Sequence, residues 1–192
     1  EVCPVLLPGR ENRAADPLLD NISALLDALL PAIRPYTQHP YAFFGHSMGA
    51  GIAFELARLL DQPPQILIVS AARAPQYREG LAPRPDPADD ELLDQLSALG
   101  ADRETLKAAL PVLRADTCLY RNYRFVPGLP LSCSIAAYGG AEDPNLRRED
   151  LTRWGELTTG RFIQRQFPGG HFYLENSHLF LRTLALDLRA GE

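Results

Sequence analysis

Ser47, Asp143 and His171 are the side chains whose surroundings in this sequence suit them to nucleophilic chemistry. Ser47 stands in Gly45-His46-Ser47-Met48-Gly49, after the apolar run that starts at Tyr41 and before a stretch of small and helix-forming residues ending at Leu60. A G-x-S-x-G string is a weak signal alone. Between a strand and a helix it describes a nucleophile elbow, a sharp turn that lifts the serine hydroxyl above a sheet. Gly45 and Gly49 are expected because side chains there would collide with the neighbouring strand and helix. The backbone N–H of Met48, opening the helix, faces the same space and is the candidate oxyanion donor. A glycine-rich turn with a passive serine is the plainer reading of the same residues.

A serine hydroxyl needs a neighbouring base to become a nucleophile at neutral pH. In this architecture the acid and then the histidine follow the serine along the chain. His171 sits late in the chain, after Gly169 and Gly170 in FPGGHFYL. The other histidines read as surface or packing residues: His46 inside the elbow, His39 before Pro40, and His178 in a helical stretch. The acid belongs on the loop after a late strand, and SIAAYGGAEDP offers both Glu142 and Asp143 there. Either carboxylate could serve by chemistry alone. Asp143, directly before the turn-forming Pro144, is favoured, with Glu142 as a solvated loop residue. His171 would take the serine proton, and Asp143 would hold the imidazole in the right tautomer.

The elements that must position these groups read as an alternation of strands and helices, which implies a mostly parallel α/β sheet flanked by helices, in one domain. Residues 1–7 read as a short strand, 17–33 as an amphipathic helix and 65–70 as a strand buried on both faces. From about Ala74 to Pro130 the alternation breaks. Pro75, Pro83, Pro85 and Pro87 precede three short helices, the first capped at Asp86, the second at Asp102 and the third opened by Pro111. This segment is expected to be a helical lid inserted into a core of residues 1–73 and 131–192; ordinary crossover helices are the alternative. The sheet resumes at Ser134 and again at 161–167, and an amphipathic helix through Leu186 ends the fold.

With 192 residues, 46% of them hydrophobic, one substantial core is affordable. A net charge of −5 argues against a nucleic-acid binder. No apolar stretch is long enough to span a membrane, and no basic-then-apolar leader is visible, so a cytoplasmic setting is expected. Cys3, Cys118 and Cys133 are widely spaced, with no metal-ligand pattern, and read as reduced filler. No metal site is expected.

The sequence resembles the type II thioesterases, stand-alone α/β-hydrolases that serve polyketide and nonribosomal peptide synthetases, and their fatty-acid-synthase-associated relatives. The likeness is carried by LLPGRENR, PYAFFGHSMGAGIAFELAR, YGGAEDP, TRWGELTTGRF and FPGGHFYL, which run through nearly the whole chain. It implies an α/β-hydrolase fold with Ser47 as nucleophile, Asp143 as acid, His171 as base and the Met48 N–H as one oxyanion donor. The family is expected to begin with a further strand and a His-Ala-Gly-Gly-like loop carrying the second donor. This sequence opens at Glu1, which is expected to reflect truncation of a longer chain. The resemblance further implies hydrolysis of acyl groups from the phosphopantetheine arm of a carrier protein. The phosphopantetheine arrives on that partner, so no bound cofactor is expected, and the protein is expected to be a monomer. Arg121, Arg124, Arg147 and Arg148 are candidates for meeting an acidic carrier, although a solvated surface is the simpler reading. A chain-releasing synthase domain, a simple carboxylesterase and an inactive binder of carrier protein or acyl chains are the competing readings.

Overall fold

The computed structural model describes residues 1–78, 86–175 and 177–189. Four strands, β1 (Ala42–His46), β2 (Ile66–Ser70), β3 (Ser134–Gly140) and β4 (Phe162–Phe167), form one parallel sheet in the order β1-β2-β3-β4. β2 is buried along its whole length, as its unbroken Ile-Leu-Ile-Val-Ser run requires of a strand covered on both faces. Alternation of side chains along β2 and β3 divides the core in two. Leu67, Val69, Ile135 and Ala137 pack with Ala50, Ala53, Phe54 and Ala57 of helix α2 (Met48–Leu59) and with Trp154. Ile66, Ile68, Ala136 and Tyr138 pack on the opposite face with Phe167, Tyr173 and Phe180, the last from the C-terminal helix. The small residues of α2 let that helix lie close to the sheet beside the serine.

The chain divides into two compact units, one of Glu1–Leu25 with Pro83–Tyr123 and one of Leu26–Ala82 with Arg124–Glu192. The second holds the sheet. In the first, α3 (Asp89–Ser97), α4 (Arg103–Ala108) and α5 (Leu110–Asn122) are joined by an N-terminal segment. Arg10 bridges that segment to Asp116 of α5, while Arg13 donates to the Leu6 carbonyl at 2.7 Å. Asp102 caps α4, accepting from the Thr105 N–H at 2.8 Å, and Pro111 lies in the first turn of α5, both as the sequence suggests. The helical segment expected from about 74 to 130 thus overlaps this unit, which also includes residues 1–25.

Three expectations about elements are corrected. Residues 1–7 form no strand: they have no ladder partner among the described residues, and Val2 and Val5 are 91% and 56% exposed. The helix expected to start at Pro17 starts at Ile22, as α1 (Ile22–Ile33), where the Asn21 side chain accepts from the Ala24 N–H at 2.9 Å. Asp86 does not cap α3. Ala88 holds that position, and the Asp86 carboxylate is engaged by Arg121 instead. Pro83 and Pro85 lie outside the described residues. The remaining α-helices among the described residues are α6 (Arg148–Thr152) and α7 (His178–Arg189), and none of the helices there is long and apolar enough to cross a membrane.

Candidate active site

Ser47 occupies the turn between β1 and α2 with φ 53° and ψ −119°, a left-handed conformation unfavourable for any residue with a Cβ. The surrounding backbone enforces it. The Ser47 N–H donates to the Ser70 carbonyl at 2.7 Å, fixing the elbow to the end of β2. A Cβ on Gly45 would lie 2.2 Å from the Gly49 carbonyl oxygen, so only glycine permits the return of the chain. The same argument fails for Gly49, where a Cβ would meet nothing within 4 Å; the steric demand expected of both glycines rests on Gly45 alone.

Asp143 follows β3. Its loop is held by N–H donation from Ala141 to the Phe167 carbonyl at 2.8 Å and from Glu142 to the Gly169 carbonyl at 3.0 Å. These bonds draw it against the loop that carries His171. The approach is so close that a Cβ on Gly140 would sit 2.0 Å from the Gly170 oxygen. Asp143 and His171 are 6% and 7% exposed, whereas the neighbouring Glu142 is solvated.

The three side chains come together. His171 Nδ1 lies 2.7 Å from Asp143 Oδ2, and His171 Nε2 lies 3.1 Å from Ser47 Oγ. Burial alone would push the Asp143 carboxyl up. The hydrogen bonds from His171 and from the Asn145 N–H at 2.9 Å outweigh burial and hold it below the usual carboxylate range. An ionised carboxylate can only accept, so Nδ1 carries the proton of the neutral ring and Nε2 offers its lone pair to the serine. The Met48 N–H, at the first position of α2, has no acceptor within the helix, and the helix dipole favours negative charge there. This arrangement can deprotonate a hydroxyl as it attacks an acyl carbon and can stabilise the resulting oxyanion.

The other candidates fall away from this centre. His39 and His178 are exposed. Cys3, Cys118 and Cys133 are free, and burial pushes the Cys133 thiol up, against thiolate formation. Among the described residues no group of three or more His, Cys, Asp or Glu side chains could hold a metal ion. Two networks escaped the sequence. His46 Nδ1 shares a hydrogen bond with Ser70 Oγ at 2.9 Å, and Ser70 Oγ another with the Tyr173 hydroxyl at 2.6 Å. Beneath β3, Tyr138 donates to Asp187 Oδ2 at 2.5 Å, and Arg165 pairs with the same carboxylate at 2.6 Å. The one sequence signal for the second was Asp187 itself, a charge between the leucines of an apolar helical stripe.

Residues 1–185 match the thioesterase domain family. The chain is 36% identical over 201 residues to the gramicidin S biosynthesis protein GrsT of Aneurinibacillus migulanus, spanning 98% of this chain and 78% of that protein. It superposes on RedJ, a thioesterase from the prodiginine pathway of Streptomyces coelicolor, with a TM-score of 0.84 at 36% identity, covering 97% of this chain and 74% of RedJ. The type II thioesterase BorB from the borrelidin biosynthetic cluster gives a TM-score of 0.83 at 36% identity, over 95% and 79% of the two chains.

Proposed function

Because the chain belongs to the thioesterase domain family, we propose that it is an editing enzyme that hydrolyses acyl groups from the phosphopantetheine arm of carrier proteins in polyketide or nonribosomal peptide synthesis. The observation that carries this reading is the His171 imidazole spanning Asp143 at 2.7 Å and Ser47 at 3.1 Å on one fold. Relatives named for gramicidin S and borrelidin biosynthesis support the choice of pathway class.

In the proposed reaction His171 Nε2 takes the Ser47 proton as Oγ attacks the thioester carbonyl carbon. The negative charge gathers on the carbonyl oxygen beside the Met48 N–H. Collapse of the intermediate breaks the C–S bond, and the proton on His171 passes to the departing pantetheine sulfur. Water then attacks the acyl-Ser47 ester, giving its proton to His171, which returns it to Oγ as the free acid leaves. Asp143 stays ionised throughout and stabilises the imidazolium. A thiolate is a good leaving group, so the cycle uses no metal and no resident cofactor, and the phosphopantetheine comes with the carrier. The helical segment of about 74–130 is proposed to govern acyl-chain access.

The test is hydrolysis of acetyl- and longer acyl-carrier protein beside the same acyl groups on a simple oxygen ester. Preference for the carrier-bound thioester, with a fluorophosphonate labelling Ser47 and abolishing turnover, supports the reading. Faster cleavage of the oxygen ester, or labelling elsewhere, overturns it.

A further inference from the structure

His171 sits on an irregular loop, and such loops move unless their backbone is tied down. Tyr173, two residues further on, supplies a tie that the catalytic groups do not. Its ring is 5% exposed and stacks on Phe167, with centroids 5.0 Å apart and planes 7° from parallel. Its hydroxyl meets Ser70 Oγ at 2.6 Å, and Ser70, fully buried at the end of β2, meets His46 Nδ1 at 2.9 Å. His46 is in register with Ser70 on the adjacent strand, so their side chains share one face of the sheet. The Ser70 carbonyl also accepts the Ser47 N–H at 2.7 Å. One residue therefore joins the loop of the base to the turn of the nucleophile.

His46 completes the series against His171, the two ring centroids lying 5.1 Å apart, with Phe172 at 5.9 Å on the same imidazole. His46 Nε2 is buried without a hydrogen-bond partner among the described residues. Packing alone would be served by an apolar side chain without that unpaired atom. We infer that the hydrogen-bonded series Tyr173–Ser70–His46 positions the His171 imidazole over Ser47, Tyr173 by anchoring the loop and His46 by holding the ring from the side. This rests on the functional reading above. Burial, helped by the neighbouring His171 and opposed by Asp143, pushes the His46 imidazole down to about 4, so it does not compete for the serine proton.

The test measures kcat, KM and the rate of fluorophosphonate labelling at Ser47 in Tyr173→Phe, Ser70→Ala and their double variant. Each single change should lower kcat and labelling about tenfold with KM little moved, as loss of alignment does. The double variant should be no worse than the more impaired single one, since both break one series. Wild-type labelling rates in both singles, or additive losses, overturn the inference. Should these variants fail to fold, His46→Asn and His46→Leu decide. Asparagine places a polar atom where Nδ1 stood, so it should recover most of the labelling rate lost in the leucine variant; equal rates in the two refute the role. Hydrolysis undiminished in Ser47→Ala would instead refute the functional reading itself.

Discussion

The two units of this chain are built by different forces. In the sheet unit, β2 and β3 are almost completely buried, and the buried carboxylates inside it are paired, Asp143 with His171 and Asp187 with Tyr138 and Arg165. In the helical unit the buried apolar residues are few, among them Leu92, Leu93 and Leu119. Its helices are laced instead by ion pairs at the surface, Arg103 with Asp90 and Asp94, Arg114 with Asp89, and Arg121 with Asp86. Apolar burial is worth roughly 25 cal/mol per Å² and is insensitive to salt, whereas an exposed ion pair contributes about 0–1 kcal/mol and is screened. The unit that brings Ser47, His171 and Asp143 together uses the first force. The unit that relies on the second is free to open locally at little cost.

The sharpest way to break this contrast is to remove chemistry from the sheet unit without disturbing its packing. Ser47→Ala should abolish carrier-thioester hydrolysis, a loss of about 10⁴-fold or more, while shifting stability by no more than about 0.5 kcal/mol. Asp143→Asn should follow with a fall in kcat of about 10⁴, because the amide leaves the imidazole in the wrong tautomer. Glu142→Gln, exposed on the same loop, should leave kcat within twofold or so of wild type. Steady-state kinetics with denaturation curves on each variant check all three. The opposite pattern at 142 and 143 would move the acid by one residue.

The candidate trio Ser47, Asp143 and His171 was legible because its signals are local. An elbow needs glycine and serine at fixed offsets between a strand and a helix, and an apolar strand followed closely by a carboxylate announces itself within ten residues, although Gly139 and Gly140, which read as a turn, are the last residues of β3. Strands β2 and β3 were legible for a similar reason, since a strand covered on both faces must be largely apolar. What stayed hidden was fixed at a distance. His46 gave no sign of pairing with Ser70 until the β1–β2 register was known, and Tyr173 reaches Ser70 across 103 positions of sequence. Asp86 looked like a helix cap because an Asp-Pro pair suits one, yet a guanidinium 35 residues away claimed the carboxylate. Residues 1–7 have the composition of a strand, but a strand exists only through its partner.

Acid should test the polar interior of the sheet unit before it touches the helices. Folded His46 has its pKa lowered to about 4, against about 6.5 for an unfolded histidine. Between those values the unfolded chain binds the proton and the folded chain does not, so stability falls as pH drops from about 6.5 to about 4. The loss should total about 3 kcal/mol for this one group and be absent above pH 7. Asp143 and Asp187, both held below their ordinary range in the fold, add losses only at lower pH, as their carboxylates protonate. Urea denaturation at a series of pH values should show the slope, and His46→Asn, which cannot titrate, should flatten it. An unchanged slope would mean that His46 is solvated in the folded protein.

The smallest effects compare two arginine–aspartate pairs of like chemistry and unlike burial. Asp187 is 3% exposed in its pair with Arg165, and Tyr138 donates to the same carboxylate. Replacing Arg165 by methionine leaves that buried charge without its cation. A fully buried pair would make this a loss of 3–5 kcal/mol, but Arg165 is itself 42% exposed, so about 2 kcal/mol is expected. Arg103 faces Asp90 and Asp94, whose side chains are 88% and 73% exposed, and Arg103→Met should cost under about 1 kcal/mol. Salt separates the two further. Raising ionic strength to about 1 M shortens the screening length to about 3 Å and should erase most of the Arg103 effect while leaving that of Arg165 largely intact. Hydrogen exchange gives the same comparison without substitution. Amides of α3 to α5 should exchange faster than those of β2, and added salt should widen the gap, because only the helices depend on charges that the solvent can screen. Equal exchange in the two units at every salt concentration would show that the helical unit draws its order from packing after all, and that the exposed ion pairs are incidental to it.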